Sequence, residues 1–299
     1  MSASSPVDRI PSNASSVGGL PITRALPTAR RRMVGAWCFA DHAGPADLPP
    51  DKRMKVGPHP HTGLQTFSWM IEGEILHRDS LGSAQMLRPG QVNLMTAGRG
   101  ISHSEESQTE RLHLAQLWIA LPEASRHCAP AFEHFDALPL LPLGGFTATL
   151  LAGTYGAARS PVPTHTPLLG MDIASPGAAS TLLALDATFE HGLMVLEGAL
   201  QLTLDDEKHS LAPGELLYLA PGLESAELHC DAAARLLLLG GPPFPESILL
   251  WWNFVGRTSE EIAQYALDWN AERGDFGRVE GFDGPRLVAP DATGVRLRG

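Results

Sequence analysis

Two short stretches of the chain carry residues able to hold a metal ion: His59-Pro60-His61 and, about forty residues later, His103-Ser104-Glu105. In each, one residue separates the two candidate ligands, and on a β-strand residues two apart point to the same face. Two such pairs on neighbouring strands would aim three imidazoles and one carboxylate at a single point. Nitrogen and oxygen donors of this kind suit a divalent transition metal such as iron, manganese, nickel, copper or zinc. The competing reading makes the four residues ordinary polar groups near surface turns.

The elements that would position these ligands can be read from a repeat. Trp69-Met70-Ile71-Glu72-Gly73, Leu87-Arg88-Pro89-Gly90 and Met95-Thr96-Ala97-Gly98 recur as Met194-Val195-Leu196-Glu197-Gly198, Leu211-Ala212-Pro213-Gly214 and Leu219-Ala220-Pro221-Gly222. The offset is 125 residues for the Glu-Gly pair and 124 for the other two, so the order and spacing argue for a duplicated unit. Each unit reads as short strands punctuated by Glu-Gly and Pro-Gly turns, the pattern of a closed antiparallel barrel or double-sheet roll. The expected division is a mobile segment over residues 1–17, a first barrel over 18–140 carrying the ligands, and a second over 141–299. The boundary is placed within ten residues of 140, in a stretch rich in proline.

Late in the chain, Thr258-Ser259-Glu260-Glu261 reads as a capping box opening a helix. Ile262, Tyr265, Ala266 and Trp269 form its apolar face, and Gly274 is the expected stop. At the repeat offset, the ligand positions 59, 61, 103 and 105 become Ala184, Asp186, Glu227 and His229. A ligand set present in only one copy points to function in the first unit and a scaffold role for the second.

The bulk numbers exclude some classes of function. A formal net charge of −11 repels phosphate backbones, so no direct nucleic-acid binding is expected. Arg30-Arg31-Arg32 reads as a solvated or salt-bridged patch. Cys38, Cys128 and Cys230 are odd in number and far apart, which suggests no disulfide framework and a reducing compartment. No run approaches the roughly 20 apolar residues of a membrane span, and the N-terminus lacks a signal-peptide core. The expected location is cytoplasmic.

The stretch Gly57-Pro58-His59-Pro60-His61-Thr62-Gly63 resembles the first metal motif of the pirin family, within the cupin superfamily. Met95-Thr96-Ala97-Gly98-Arg99-Gly100-Ile101-Ser102-His103-Ser104-Glu105 is similar to that family's second motif along nearly its whole length. Further matches are His77-Arg78-Asp79-Ser80-Leu81-Gly82, Leu87-Arg88-Pro89-Gly90 and Gln116-Leu117-Trp118, so the resemblance runs over roughly residues 20–285.

This resemblance implies an all-β bicupin: two antiparallel jelly-roll barrels face to face, metal in the first only, and a short C-terminal helix. It implies His59, His61, His103 and Glu105 as ligands; Glu105 is also the candidate catalytic residue, the carboxylate that either ligates the metal or swings off it to take a proton. Iron(II) is the expected metal, with manganese, nickel, copper or zinc as alternatives. Two functions follow from the family. One is a dioxygenase that cleaves a flavonol such as quercetin with O2 and expels carbon monoxide. The other is a non-catalytic, redox-responsive binding protein that modulates a transcription factor or metabolic enzyme through a protein partner.

One departure stands out. Gln65 occupies the place where the general cupin pattern has a glutamate, and glutamine is a weak ligand and no base. Other polar residues carry weaker expectations. His77 is read as structural or solvent-facing rather than beside the site, and only one of His113 and Gln116 can face the barrel interior. Asp41-His42 is read as a turn in preference to the cavity mouth. Phe67 and Trp69 would wall the pocket if strand parity survives Gly63, and Arg99 would either fold over the site or satisfy loop carbonyls.

Overall fold

Alternation at period two writes most of this chain as strand. Ile75–Asp79 and Leu200–Leu204, at equivalent places in the repeat, both alternate buried and half-buried residues, the signature of a sheet with one face on a core. The computed structural model describes residues 7–297 and is built of antiparallel strands with one α-helix among the described residues.

The strands form two copies of one pattern. The copy with the histidines has a four-stranded sheet ordered Lys55–His61, Ile101–Ser107, Ile75–Asp79, Ala84–Leu87. Its second sheet is ordered Ala131–Phe135, Val92–Thr96, Leu64–Glu72, Arg111–Ala120, Trp37–Asp47, Leu20–Leu26, Asn13–Val17. The other copy repeats both orders. Its four strands run Ala179–Ala184, Ser225–Cys230, Leu200–Leu204, Glu207–Leu211, and its seven-stranded sheet starts at Val7–Pro11 and Glu215–Leu219 and ends at Leu140–Leu143. These are two jelly rolls. Each fills with its own apolar cluster: Met54, Met70, Ile75, Leu87 and Leu114 are among those in the first, and Met171, Leu193, Leu202, Leu228 and Leu236 in the second.

The compact units are not the contiguous halves expected from the repeat. The histidine-bearing unit takes Ser15–Ile22, Ala43–Asp136 and Pro245–Gly299, and the other takes the chain through Ala14, Thr23–His42 and Ala137–Phe244. The division runs through the strands Leu20–Leu26 and Trp37–Asp47. The expectation of a mobile segment over 1–17 is corrected from residue 7 onward; residues 1–6 lie outside the described residues. Val7–Pro11 pairs in register with Glu215–Leu219, with Ile10 fully buried, Arg9 bonded to Glu215 and Arg30 to Asp8. A strand that fills an open sheet edge satisfies backbone groups that would otherwise face water unpaired. The serine-rich composition hid this.

The helix also belongs elsewhere than expected: it lies with the histidine barrel's unit, not the second barrel's. It spans Ser259–Asn270, capped by the Thr258 hydroxyl accepting from the Glu261 N–H. Ile262, Ala266 and Trp269 bury against Leu249, Phe254 and Phe276. It ends before Gly274: Ala271 caps it and Glu272 takes the left-handed turn at φ 54°. Beyond it the chain runs along the outside of the strands Lys55–His61 and Ile101–Ser107. The Leu287 N–H donates to the Pro58 carbonyl at 2.8 Å, and the Ser102 hydroxyl to the Phe276 carbonyl at 2.9 Å. At Gly57 a Cβ would sit 2.4 Å from the Pro285 carbonyl oxygen, so only glycine admits this approach.

Gly63 sets where His61 ends. It turns the chain at φ +68°, and an added Cβ would lie 2.3 Å from the Val255 carbonyl oxygen. A Gly63→Ala substitution combines left-handed strain with that clash, and is expected to cost about 2–4 kcal/mol. Thermal unfolding checks this; an unchanged melting temperature would show that the turn relaxes freely.

Candidate metal centre

The strands Lys55–His61 and Ile101–Ser107 are antiparallel neighbours, and their register puts His103 directly opposite His59 and Ile101 opposite His61. Directly opposite residues share a face, and His61 shares it with His59 by parity. The three rings converge accordingly, with centroids 4.3 Å (His59–His103), 5.0 Å (His61–His103) and 5.1 Å (His59–His61) apart. One ring nitrogen from each lies within 4.8 Å of the other two, and all three residues are buried.

The nitrogens suit a cation. His59 Nδ1 lies 2.9 Å from the Gly57 carbonyl, which can only accept, so Nδ1 carries the proton and Nε2 offers its lone pair. His61 Nε2 and His103 Nε2 lie 3.1 Å apart, close to the separation of about 3.0–3.4 Å that adjacent ligands at ~2.1 Å from one ion would have. The His61 ring also takes a hydrogen bond at the Asn253 backbone. Burial pushes His59 down to about 4, and pushes His61 and His103 well below the usual imidazole range, with the neighbouring histidines adding to the effect. Three buried imidazoles that stay neutral at pH 7 are ready ligands.

Glu105 stands slightly apart. A bulge between His103 and Glu105 shifts the register against Lys55–His61, while on the other side Glu105 pairs with His77. Its carboxylate therefore groups with His77 and His103 rather than with His59 and His61. Burial lifts its carboxyl above the ordinary range, partly offset by His77 and a hydrogen bond from Ser68. His77 is neither solvent-facing nor remote. It is buried, stacks on Phe132 at 4.4 Å, and lies between His103 and Asp79.

The chain matches the family model described as Pirin over residues 19–119 and the one described as Pirin C-terminal cupin domain over residues 170–276. The chain belongs to the pirin family. It is 50% identical to a Pseudomonas aeruginosa protein provisionally named quercetin 2,3-dioxygenase, over 95% of this chain and 90% of that one. It is 28% identical to human pirin, over 74% of this chain and 78% of that one. A solved structure of quercetin 2,3-dioxygenase from Acinetobacter baumannii superposes with a TM-score of 0.91 at 44% identity, covering 95% of each chain.

The other candidates sort by strand face. Parity does not survive Gly63. The Ser68 hydroxyl hydrogen-bonds Glu105 and lies 2.8 Å from the Gln116 side-chain amide, so even-numbered residues of Leu64–Glu72 face the site. Phe67 and Trp69 therefore lie on the opposite face, and the expectation that they wall the pocket is corrected. Gln65 shares that opposite face and bonds Thr96 Oγ1 at 3.0 Å. Gln116 faces the site, while His113 is buried opposite Glu72 beyond a bulge. Asp41 and His42 lie within the strand Trp37–Asp47 rather than in a turn, and Asp41 accepts two bonds from Arg24 at 2.7 and 2.8 Å. Arg99 pairs with Asp275 at 3.3 Å, half-exposed.

Three further residues adjoin the site, of which Ser68 and Phe132 belong to no motif named above. Trp118 packs edge-on against His61 with centroids 5.1 Å apart, Ser68 bonds Glu105, and Phe132 stacks on His77. Phe132 was hidden in the proline-rich stretch taken for a boundary, yet Ala131–Phe135 pairs with Val92–Thr96 as a strand. In the second barrel the offset positions Ala184, Glu227 and His229 fall on the outer side; the residues turned into its core there are Leu183, Leu185, Ala226 and Leu228.

Proposed function

We propose that this pirin is a metal-dependent dioxygenase that cleaves a flavonol such as quercetin, with iron(II) held by His59, His61, His103 and Glu105. The observation that carries the proposal is the trio of buried, neutral imidazoles with ligand atoms within 4.8 Å of one another. The 44% identity to a solved quercetin 2,3-dioxygenase across 95% of both chains supports the substrate class. The reaction takes one flavonol and one O2 to one ester and one carbon monoxide, so every oxygen atom is accounted for.

When bound, the ion supplies Lewis acidity and redox access to dioxygen. The protein's part is to hold the donors, position the substrate and handle one proton. Glu105 takes the proton of the flavonol 3-hydroxyl. Ser68 hydrogen-bonds that carboxylate, Gln116 lies beside the Ser68 hydroxyl, and Trp118 offers an aromatic wall beside His61. The neutral histidines do not compete for the proton at pH 7.

The test is anaerobic loading with iron(II), followed by quercetin absorbance and carbon monoxide release once oxygen is admitted. Parallel loads of manganese, nickel, copper and zinc identify the metal that supports turnover. Stoichiometric metal uptake without turnover on a panel of flavonols would favour a binding protein instead. Glu105→Gln is expected to lower kcat/KM by about 10²–10⁴-fold. Because the carboxylate must be ionised to accept the proton, the wild-type rate falls on the acid side as Glu105 becomes protonated. A Glu105→Gln variant with wild-type turnover and the same acid limb would remove Glu105 from this role.

A further inference from the structure

We infer that Asp79 and His77 are positioning residues that set the tautomer of His103, and so decide whether its Nε2 can bind a metal ion. The inference rests on the metal reading of the three-histidine site. It concerns a buried file of four groups: Asp79 Oδ2 lies 3.2 Å from His77 Nε2, His77 Nδ1 lies 3.3 Å from His103 Nδ1, and His103 Nε2 lies 3.1 Å from His61 Nε2. His77, Asp79 and His103 are each about 2% exposed, so water does not compete for these contacts.

The directions of the bonds follow from donor and acceptor rules. A neutral imidazole carries one proton, and a nitrogen facing a cation cannot hold it. His103 must then be protonated at Nδ1, where the atom facing it is His77 Nδ1. That nitrogen has to accept, which leaves the His77 proton on Nε2, pointing at Asp79 Oδ2. A carboxylate can only accept, so Asp79 favours this state and no other. The carboxylate is itself fixed, since its Oδ1 accepts the backbone N–H groups of Leu81 at 2.9 Å and Ser83 at 3.0 Å. Phe132, stacked 4.4 Å from the His77 ring at an angle of 16°, covers one face of that ring.

The pinning of Oδ1 makes Asp79→Asn a sharp probe. The amide oxygen of the variant takes the place of Oδ1 beneath the two backbone N–H groups, which turns its NH2 toward His77 Nε2. His77 then accepts at Nε2 and carries its proton on Nδ1, His103 accepts at Nδ1, and the His103 proton moves to Nε2, against the metal. The substitution is nearly isosteric and reverses the whole file. His77→Gln is the conservative partner: its amide oxygen can accept from His103 and its NH2 can donate to Asp79, whereas His77→Leu can do neither.

The experiment reads the tautomers of 15N-histidine-labelled, metal-free protein by long-range nitrogen–proton NMR, then titrates zinc by calorimetry. Wild type is expected to show His77 protonated at Nε2 and His103 at Nδ1, and to bind one zinc. Asp79→Asn should move the His103 proton to Nε2 and weaken zinc about 10–100-fold, with little change in the melting temperature of the metal-free protein. His77→Leu should weaken zinc comparably, and His77→Gln should restore affinity to within a few-fold of wild type. The inference is overturned if metal-free wild type already carries the His103 proton on Nε2, or if Asp79→Asn binds zinc as wild type does. Two zinc ions per chain, with one lost in His77→Leu, would also overturn it, because His77, His103 and Glu105 would then be a cation site of their own. Wild-type protein that takes up no metal at all defeats the metal reading instead, while its tautomers still report on the file.

Discussion

His61→Ala is expected to abolish metal uptake and, with it, the flavonol cleavage proposed for the site. His61 is 1% exposed, and its Nε2 is one of the two nitrogens set 3.1 Å apart. Loss of a direct ligand is expected to weaken metal binding by at least about a thousandfold, beyond the 10–100-fold typical of losing a hydrogen-bond partner behind a ligand. Turnover should fall with occupancy. The effect is also visible without activity. At a metal concentration a thousand times its dissociation constant, wild type gains about 4 kcal/mol of stability, and the variant gains almost none under the same conditions. Gln65→Ala is the matched control, because Gln65 bonds Thr96 on the face away from the site. Elemental analysis and melting curves with and without metal decide the matter. A His61→Ala protein that keeps stoichiometric metal, or a Gln65→Ala protein that loses it, would place the centre elsewhere.

The metal-free protein should weaken on mild acidification, and the three clustered histidines His59, His61 and His103 should be a main reason. Each has a folded pKa below the unfolded value of about 6.5, so the unfolded chain takes up protons first as pH falls. Stability is therefore retained above about 6.5 and lost progressively below it, down to the folded value, which is about 4 for His59. For His59 alone this amounts to about 2 kcal/mol between pH 7 and pH 5. His61 and His103 act in the same direction. Glu105, whose pKa is raised, opposes them, because its folded form binds a proton more readily. Three imidazoles against one carboxyl leave a net loss. Urea unfolding of the metal-free protein at pH 7 and pH 5 measures it, and His59→Gln should flatten the slope. Equal stability at both pH values would mean that the rings are solvated or already charged.

Much of the site was legible because strand geometry is local. A spacing of two, read twice, places His59, His61 and His103 on common faces, and the tertiary register then had only to bring the two strands side by side. The repeat was legible for a similar reason. Turns demand glycine whatever surrounds them, so Glu-Gly and Pro-Gly mark the same corners in both copies, and both strand orders agree.

Other features depend on contacts that no local pattern records. The face of Phe67 and Trp69 flipped because the chain turns at Gly63, where the close approach of Val255 decides the geometry. The displacement of Glu105 toward His77 came from a bulge in one pairing of its strand and not in the other. Asp79 and His77 read as ordinary polar residues until the fold aligned them behind His103.

The sequence alone determined that this protein is a duplicated, all-β pirin-family chain with one histidine-rich barrel, because residue type and period two are properties of the chain itself. Tertiary structure alone decided that Val7–Pro11 closes a sheet edge, that the segment from Pro245 onward joins the histidine-bearing unit, and which nitrogens meet. Those outcomes depend on which unpaired edge or apolar face a distant segment can cover, and the free energy of covering it arises only when both surfaces leave water.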